Sequence, residues 1–218
     1  MFTPVEDRFE RSVGSPAAFY RRLTGVDPAA ADIAADAAFD RHVFACTLAV
    51  ALSEGGDLAA RLGLAPAALE ALAEAHFPHV RGLTLRAAGD AAHDDEAAMV
   101  RDLLVAHRSQ PGRDTLWLAA IVARRAVEPN HLWEDLGLNA RTELTRLLER
   151  HFQPLAVRNT GNMRWKRFFY RTLCEADGLV MCTTPVCSAC GDFESCFGEE
   201  TGESRLARIR RASEVVRI

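Results

Sequence analysis

Lysine is almost missing from this chain. Lys166 is the only one, so the 26 Lys and Arg residues are otherwise all arginine. Alanine is abundant, and genome composition is the plain reading of the arginine excess, ahead of phosphate recognition. Long apolar runs are also missing. Nothing approaches the roughly 18 consecutive apolar residues of a membrane span, so no membrane-embedded segment is expected. Met1 to Arg11 is charged and has no apolar stretch, which predicts no secretory signal and a cytoplasmic protein. His42, His76, His79, His93, His107, His131 and His151 are scattered. They make no HExxH or H-x3-H pattern, which excludes a zinc-hydrolase motif. No Ser/His/Asp set or paired carboxylates can be read, so no enzyme is expected. The net charge of −4 is mild and points to no nucleic-acid partner.

What is present is a concentration of thiols. Cys182, Cys187, Cys190 and Cys196 are spaced C-x4-C-x2-C-x5-C. Three explanations compete for them. Disulfides suit an oxidising compartment, which the N-terminus does not suggest. Structural zinc usually uses two C-x2-C knuckles, and only one such pair exists here. An iron–sulfur cluster is wider than one ion, and a short loop with Pro185 and Gly191 can wrap it. The first three cysteines also have the C-x4-C-x2-C spacing of plant-type iron–sulfur proteins, although the fourth follows much sooner here. Spacing favours the cluster and leaves zinc open.

A chain of 218 residues supports a single domain. We read a helical body over about 15–176, a cluster loop over 178–198 and a basic tail over 199–218. No convincing period-two alternation occurs, so the fold class is all-α with a C-terminal cysteine-rich metal-binding loop. Ser15-Pro16 and Asp27-Pro28 both pair an N-cap residue with proline at the first helical position. Phe39 to Leu52 is apolar on most sides and predicts a buried helix, which Gly55-Gly56 breaks. Pro66 opens a helix with Leu69, Leu72 and Phe77 on one face, and Pro78 ends it. Residues 78–93 read as loop. Asp94-Asp95-Glu96 starts a helix that runs to about His107. Asp114 is expected to cap the next, which carries Leu116, Trp117, Ile121 and Val122. Asn139 begins another, with Leu144, Leu147, Leu148 and Phe152. Ser204 to Val216 reads as a loosely attached basic helix.

A weak repeat runs through this body. Leu62-Gly63-Leu64, Leu69, Leu72 and His76-Phe77-Pro78 match Leu136-Gly137-Leu138, Leu144, Leu147 and His151-Phe152-Gln153-Pro154. Glu54 and Leu58 match Glu128 and Leu132. Either two helical hairpins solved one capping problem, or a helical unit was duplicated. Duplication would make His76 and His151 equivalent.

The stretch before the cysteines is the second informative one. Trp165, Phe168, Phe169 and Leu173 share a helical face, which is the pattern of a core stripe. Arg164, Arg167 and Arg171 form another stripe, with no acidic residue between Arg158 and Arg171. Such a stripe is ordinarily a solvated face, and otherwise an anion site or a docking surface for an acidic partner. Cys46 reads as a packed small hydrophobe. Cys174, His131 and His151 are candidates for extra metal contacts.

Three stretches together resemble a known family. His131-Leu-Trp-Glu-Asp-Leu-Gly-Leu138, Asn162-Met-Arg-Trp-Lys-Arg-Phe-Phe-Tyr-Arg171 and the cysteine loop ending Cys196-Phe-Gly198 look like the NifQ family of nitrogen fixation. The resemblance is specific from about Trp117 to Gly198 and weak before it. It implies a non-enzymatic iron–sulfur protein that carries molybdenum and donates it for assembly of the nitrogenase iron–molybdenum cofactor. It implies a cluster of 4Fe-4S or Mo-3Fe-4S type on Cys182, Cys187, Cys190 and Cys196. It implies the cofactor scaffold complex and the nitrogenase iron protein as partners. Two other classes compete. One is a zinc-stabilised helical interaction module. The other is a helical DNA-repair glycosylase of the endonuclease III type, whose loop is spaced C-x6-C-x2-C-x5-C. The different first interval and the lack of a Leu-Pro-Gly-type turn count against the glycosylase.

Overall fold

A computed structural model describes residues 14–80 and 94–176 and Cys196. The described residues hold α-helices and one short 3-10 turn, with no strand among them. The all-α expectation is met for the body, while the tail helix over 204–216 and most of the cysteine loop lie outside the described residues. Among those described, no helix is long and apolar enough to cross a membrane.

The first four helices are α1 (Pro16–Thr24), α2 (Asp36–Glu54), α3 (Leu58–Leu62) and α4 (Pro66–His76). Ser15 caps α1 by accepting the Ala18 N–H at 3.3 Å. Asp27-Pro28 does not start an α-helix. It makes one 3-10 turn, Pro28–Ala30, because Ala29 and Ala30 are exposed and the chain is extended again at Ala31. Helix α2 is buried on nearly every side, as its apolar run from Phe39 predicts.

The next four are α5 (Asp95–Ala106), α6 (Arg113–Ala126), α7 (Leu132–Asp135) and α8 (Arg141–His151). Asp94 caps α5 through the Ala97 N–H at 3.0 Å. Asp114 is not the cap of α6. Gly112 takes that position, and the Asp114 carboxylate accepts from His76 instead. Leu116 on α6 is exposed, whereas Trp117, Ile121 and Val122 are buried. Asn139 sits just ahead of α8 and donates to Glu143. A short α9 (Gln153–Ala156) and then α10 (Trp165–Ala176) complete the body.

The repeat is a structural one. Helix α1 packs along α2 as α5 packs along α6. Gly63 and Gly137 end α3 and α7 with φ of +64° and +71°. A Cβ on Gly63 would lie 2.8 Å from Arg124 Cβ and 3.1 Å from the Ala120 carbonyl, both on α6. A Cβ on Gly137 would lie 2.5 Å from Val50 Cγ2 and 3.0 Å from the Cys46 carbonyl, both on α2. The shift that relates Gly63 to Gly137 also relates Cys46 to Ala120 and Val50 to Arg124.

Each half therefore presses its glycine turn onto the matching site of the other. The histidines cross in the same way. His76 Nε2 donates to Asp114 Oδ1 at 3.2 Å, and His151 Nε2 donates to Asp40 Oδ1 at 3.0 Å. Asp40 and Asp114 are related by the same shift. Phe77 and Phe152, next to the histidines, end their helices at φ/ψ of −134°/49° and −137°/40°. Reciprocal contacts of this kind are the mark of an isologous pair, here joined in one chain.

Candidate metal and anion site

Helix α10 is set by its aromatic face. Trp165, Phe168 and Phe169 are buried, with Trp165 and Phe168 ring centroids 5.8 Å apart and edge-on. The Trp165 indole N–H reaches Thr145 Oγ1 at 3.3 Å. That docking leaves Arg164, Lys166 and Arg167 beside α7. Lys166 anchors the helix there. Its ammonium donates to Asp135 Oδ2 at 2.7 Å and to the Glu128 carbonyl, and Asp135 is fully buried. Asn130 Nδ2 supplies the other Asp135 oxygen at 2.8 Å.

His131 stands at the N-terminus of α7. Its backbone N–H donates to Glu134 Oε2 at 3.2 Å, closing a capping box. Together these elements line an open cleft of about 510 Å³. Its lining includes Asn130, His131, Glu134, Arg164, Lys166 and Arg167. Arg167 is exposed and has no ion-pair partner among the described residues.

The last cysteine of the loop meets this same corner. The Arg164 N–H donates to the Cys196 carbonyl at 2.8 Å, and Cys196 packs half-buried against the core. The other loop cysteines, Cys182, Cys187 and Cys190, lie outside the described residues. Among the described residues no three His, Cys, Asp or Glu side chains gather to hold a metal.

The remaining candidates separate. Arg171 does not line the cavity, and its Nε donates to Glu175 Oε1 at 2.7 Å. His151 is buried with both nitrogens engaged, Nε2 on Asp40 and Nδ1 at 3.1 Å from Thr115 Oγ1. Burial pushes the Asp40 carboxyl up, but hydrogen bonds from His151 and Arg150 outweigh it and hold it at about 2. Cys46 is fully buried with Sγ 3.5 Å from His42 Nε2, and burial pushes its thiol well up, as suits a packed neutral thiol. Cys174 lies half-buried near the end of α10. Asn130 and Glu134 were not singled out from the sequence. Glu134 had a signal there, as the third residue after a helix start.

A family model described as NifQ matches residues 43–198. That span holds α7, α10 and all four loop cysteines. The chain belongs to the NifQ family. The NifQ homolog of Sinorhizobium fredii is 44% identical over 172 residues, covering 76% of this chain and 75% of that protein. NifQ of Azotobacter vinelandii is 40% identical over 152 residues, covering 64% and 78%. NifQ of Rhodobacter capsulatus is 40% identical over 146 residues, covering 66% and 80%. No solved structure gives a significant match. Membership places the chain among proteins of nitrogen fixation.

Proposed function

We propose that this protein is an iron–sulfur carrier that delivers molybdenum for the nitrogenase iron–molybdenum cofactor. Cys182, Cys187, Cys190 and Cys196 hold the cargo. Thiolates suit iron and reduced molybdenum, which fits this donor set. The observation that carries the reading is the docking of Cys196 on α10, through the Arg164 N–H, within the span matched by the NifQ model. A donor must hold its metal and also release it. A short loop with Thr183, Thr184, Ser188 and Gly191 between its ligands fits that need better than a closed helical cage would. The recipients in this reading are the cofactor scaffold complex and the nitrogenase iron protein, and the protein itself catalyses no reaction.

Metal content decides it. Anaerobically isolated protein is expected to be brown, with broad visible absorption, and to contain iron and molybdenum. Cys187→Ala is expected to lose both while keeping its helix content by circular dichroism. Colourless protein with one zinc per chain would replace the reading with a zinc-stabilised module.

A further inference from the structure

We infer that Arg141 and Asn159 are positioning residues for Cys196, the last cysteine of the loop. They aim a backbone N–H that holds its carbonyl. The inference rests on the proposed carrier role, in which Cys196 is a ligand of the cargo.

The link between α9 and α10 has a definite shape. Asn162 stands in the left-handed region at φ +53°, a conformation that asparagine tolerates better than most residues. Its N–H closes a turn on the Asn159 carbonyl at 3.1 Å. The Arg141 guanidinium reaches this turn from the start of α8. Its Nη2 lies 3.0 Å from both the Asn162 carbonyl and Asn162 Oδ1, and 2.9 Å from the Met163 carbonyl. Asn159 grips Met163 at both backbone groups. Its Oδ1 accepts the Met163 N–H and its Nδ2 donates to the Met163 carbonyl, each at 2.8 Å.

One planar unit carries this order to the loop. The Met163 carbonyl and the Arg164 N–H belong to the same trans peptide, so they point in opposite directions. Two side-chain donors hold the carbonyl, and the direction of the N–H is thereby set. That N–H donates to the Cys196 carbonyl at 2.8 Å. Burial of the Met163 side chain anchors the residue but does not set the tilt of its peptide plane. Helix α10 itself is docked by other means, through Lys166 on Asp135 and the Trp165 indole on Thr145. The clamp on the Met163 carbonyl is therefore assigned to Cys196. A ligand that is already ordered loses less freedom when its metal binds.

Thiol labelling of the full chain, isolated without metal and resolved residue by residue by mass spectrometry, tests this. Labelling of a half-buried thiol reports local opening. Cys174 is the internal control, because it lies roughly 14 Å beyond Trp165 along α10. Arg141→Gln and Asn159→Asp are each expected to speed Cys196 labelling about tenfold, as loss of such a hydrogen bond implies, and to leave Cys174 unaltered. Asn159→Asp is the sharper variant. Its carboxylate still accepts the Met163 N–H but can no longer donate to the Met163 carbonyl. Should Arg141→Gln not fold, Asn159→Asp alone decides. Unaltered Cys196 labelling, or equal acceleration of Cys174, overturns the inference.

Iron release to a chelator, followed anaerobically on the same proteins, separates the positioning from the carrier role. Release about tenfold faster than wild type is expected from both variants. Wild-type protein without iron or molybdenum defeats the carrier role, and the ligand role of Cys196 falls with it. Iron-loaded variants that release at the wild-type rate defeat the positioning alone.

Discussion

The half built from α1 to α4 and the half built from α5 to α8 are copies in architecture and differ in chemistry. Both turn at a left-handed glycine, both end on a His-Phe step, and each lends its histidine to the other's aspartate. The matched helix starts diverge. Asp57 begins α3 as an ordinary cap, accepting from Ala59 and Ala60 at 2.9 and 3.3 Å. The residue at that position in the second half is His131, which lines the cavity beside α10. The framework is shared, and the candidate site is confined to the half that runs on into α10. The two halves form one reciprocally packed pair, and their chemistry differs at the matched position.

The largest effects should come from the shared framework, and they should be equal. Gly63→Ala and Gly137→Ala each force a side chain into left-handed backbone and into the opposite helix. Left-handed strain costs about 1 kcal/mol and overpacking about 2 more, so each variant should lose about 3 kcal/mol. Chemical denaturation measures this. A loss at only one of the two would show that the reciprocal contact is local and that the halves are not equivalent.

The next effect should be strongly unequal. Asp135 of the second half matches Arg61 of the first, and both sit in ion pairs. Arg61 meets Glu54 at 3.1 Å with its side chain 35% exposed, while Asp135 is fully buried under Lys166. Lys166→Met strands a buried carboxylate. It should cost about 3 kcal/mol, the low end for a broken buried pair because Asn130 still donates to it. Arg61→Met should cost only about 1 kcal/mol, because the Glu54 carboxylate keeps its pair with Arg125 at 2.9 Å. Comparable losses would mean that α10 is not anchored through Lys166.

The sequence made the helices legible because their signals are local. Ser15-Pro16, Pro66 and Asp94 act within one turn of themselves, and the Phe39–Leu52 run declares its own burial. The correspondence of the two halves was only weakly visible, since it is carried by long-range contacts such as Gly63 against Ala120. The same limit applies to the cavity. Arg164, Arg167 and Arg171 look alike along a helix, and the structure separates them through what stands opposite. Glu175, four residues after Arg171, is the one local hint of that separation. Lys166 stood out by being the only lysine, yet its buried partner on α7 could not be read from its neighbours. His76 and His151 were matched in sequence, but their exchange of aspartates needed the packing of α2 against α8 and of α4 against α6.

The smallest expected effect separates those two histidine pairs. His151 and Asp40 are nearly buried, at 4% and 8% side-chain exposure, whereas His76 and Asp114 are at 15% and 40%. Asp40 is held at about 2, below its unfolded value near 3.8. A depressed carboxyl stabilises the fold above its unfolded pKa, and the contribution disappears as pH falls through the folded value. About 2 kcal/mol should therefore be present above pH ~4 and gone near pH 2. Asp40→Asn should flatten that part of the stability–pH curve, and at neutral pH it should cost more stability than Asp114→Asn, whose carboxylate is far more exposed. If the two substitutions cost the same at neutral pH, burial does not distinguish the crossed pairs, and the halves are more alike in energy than their exposure implies.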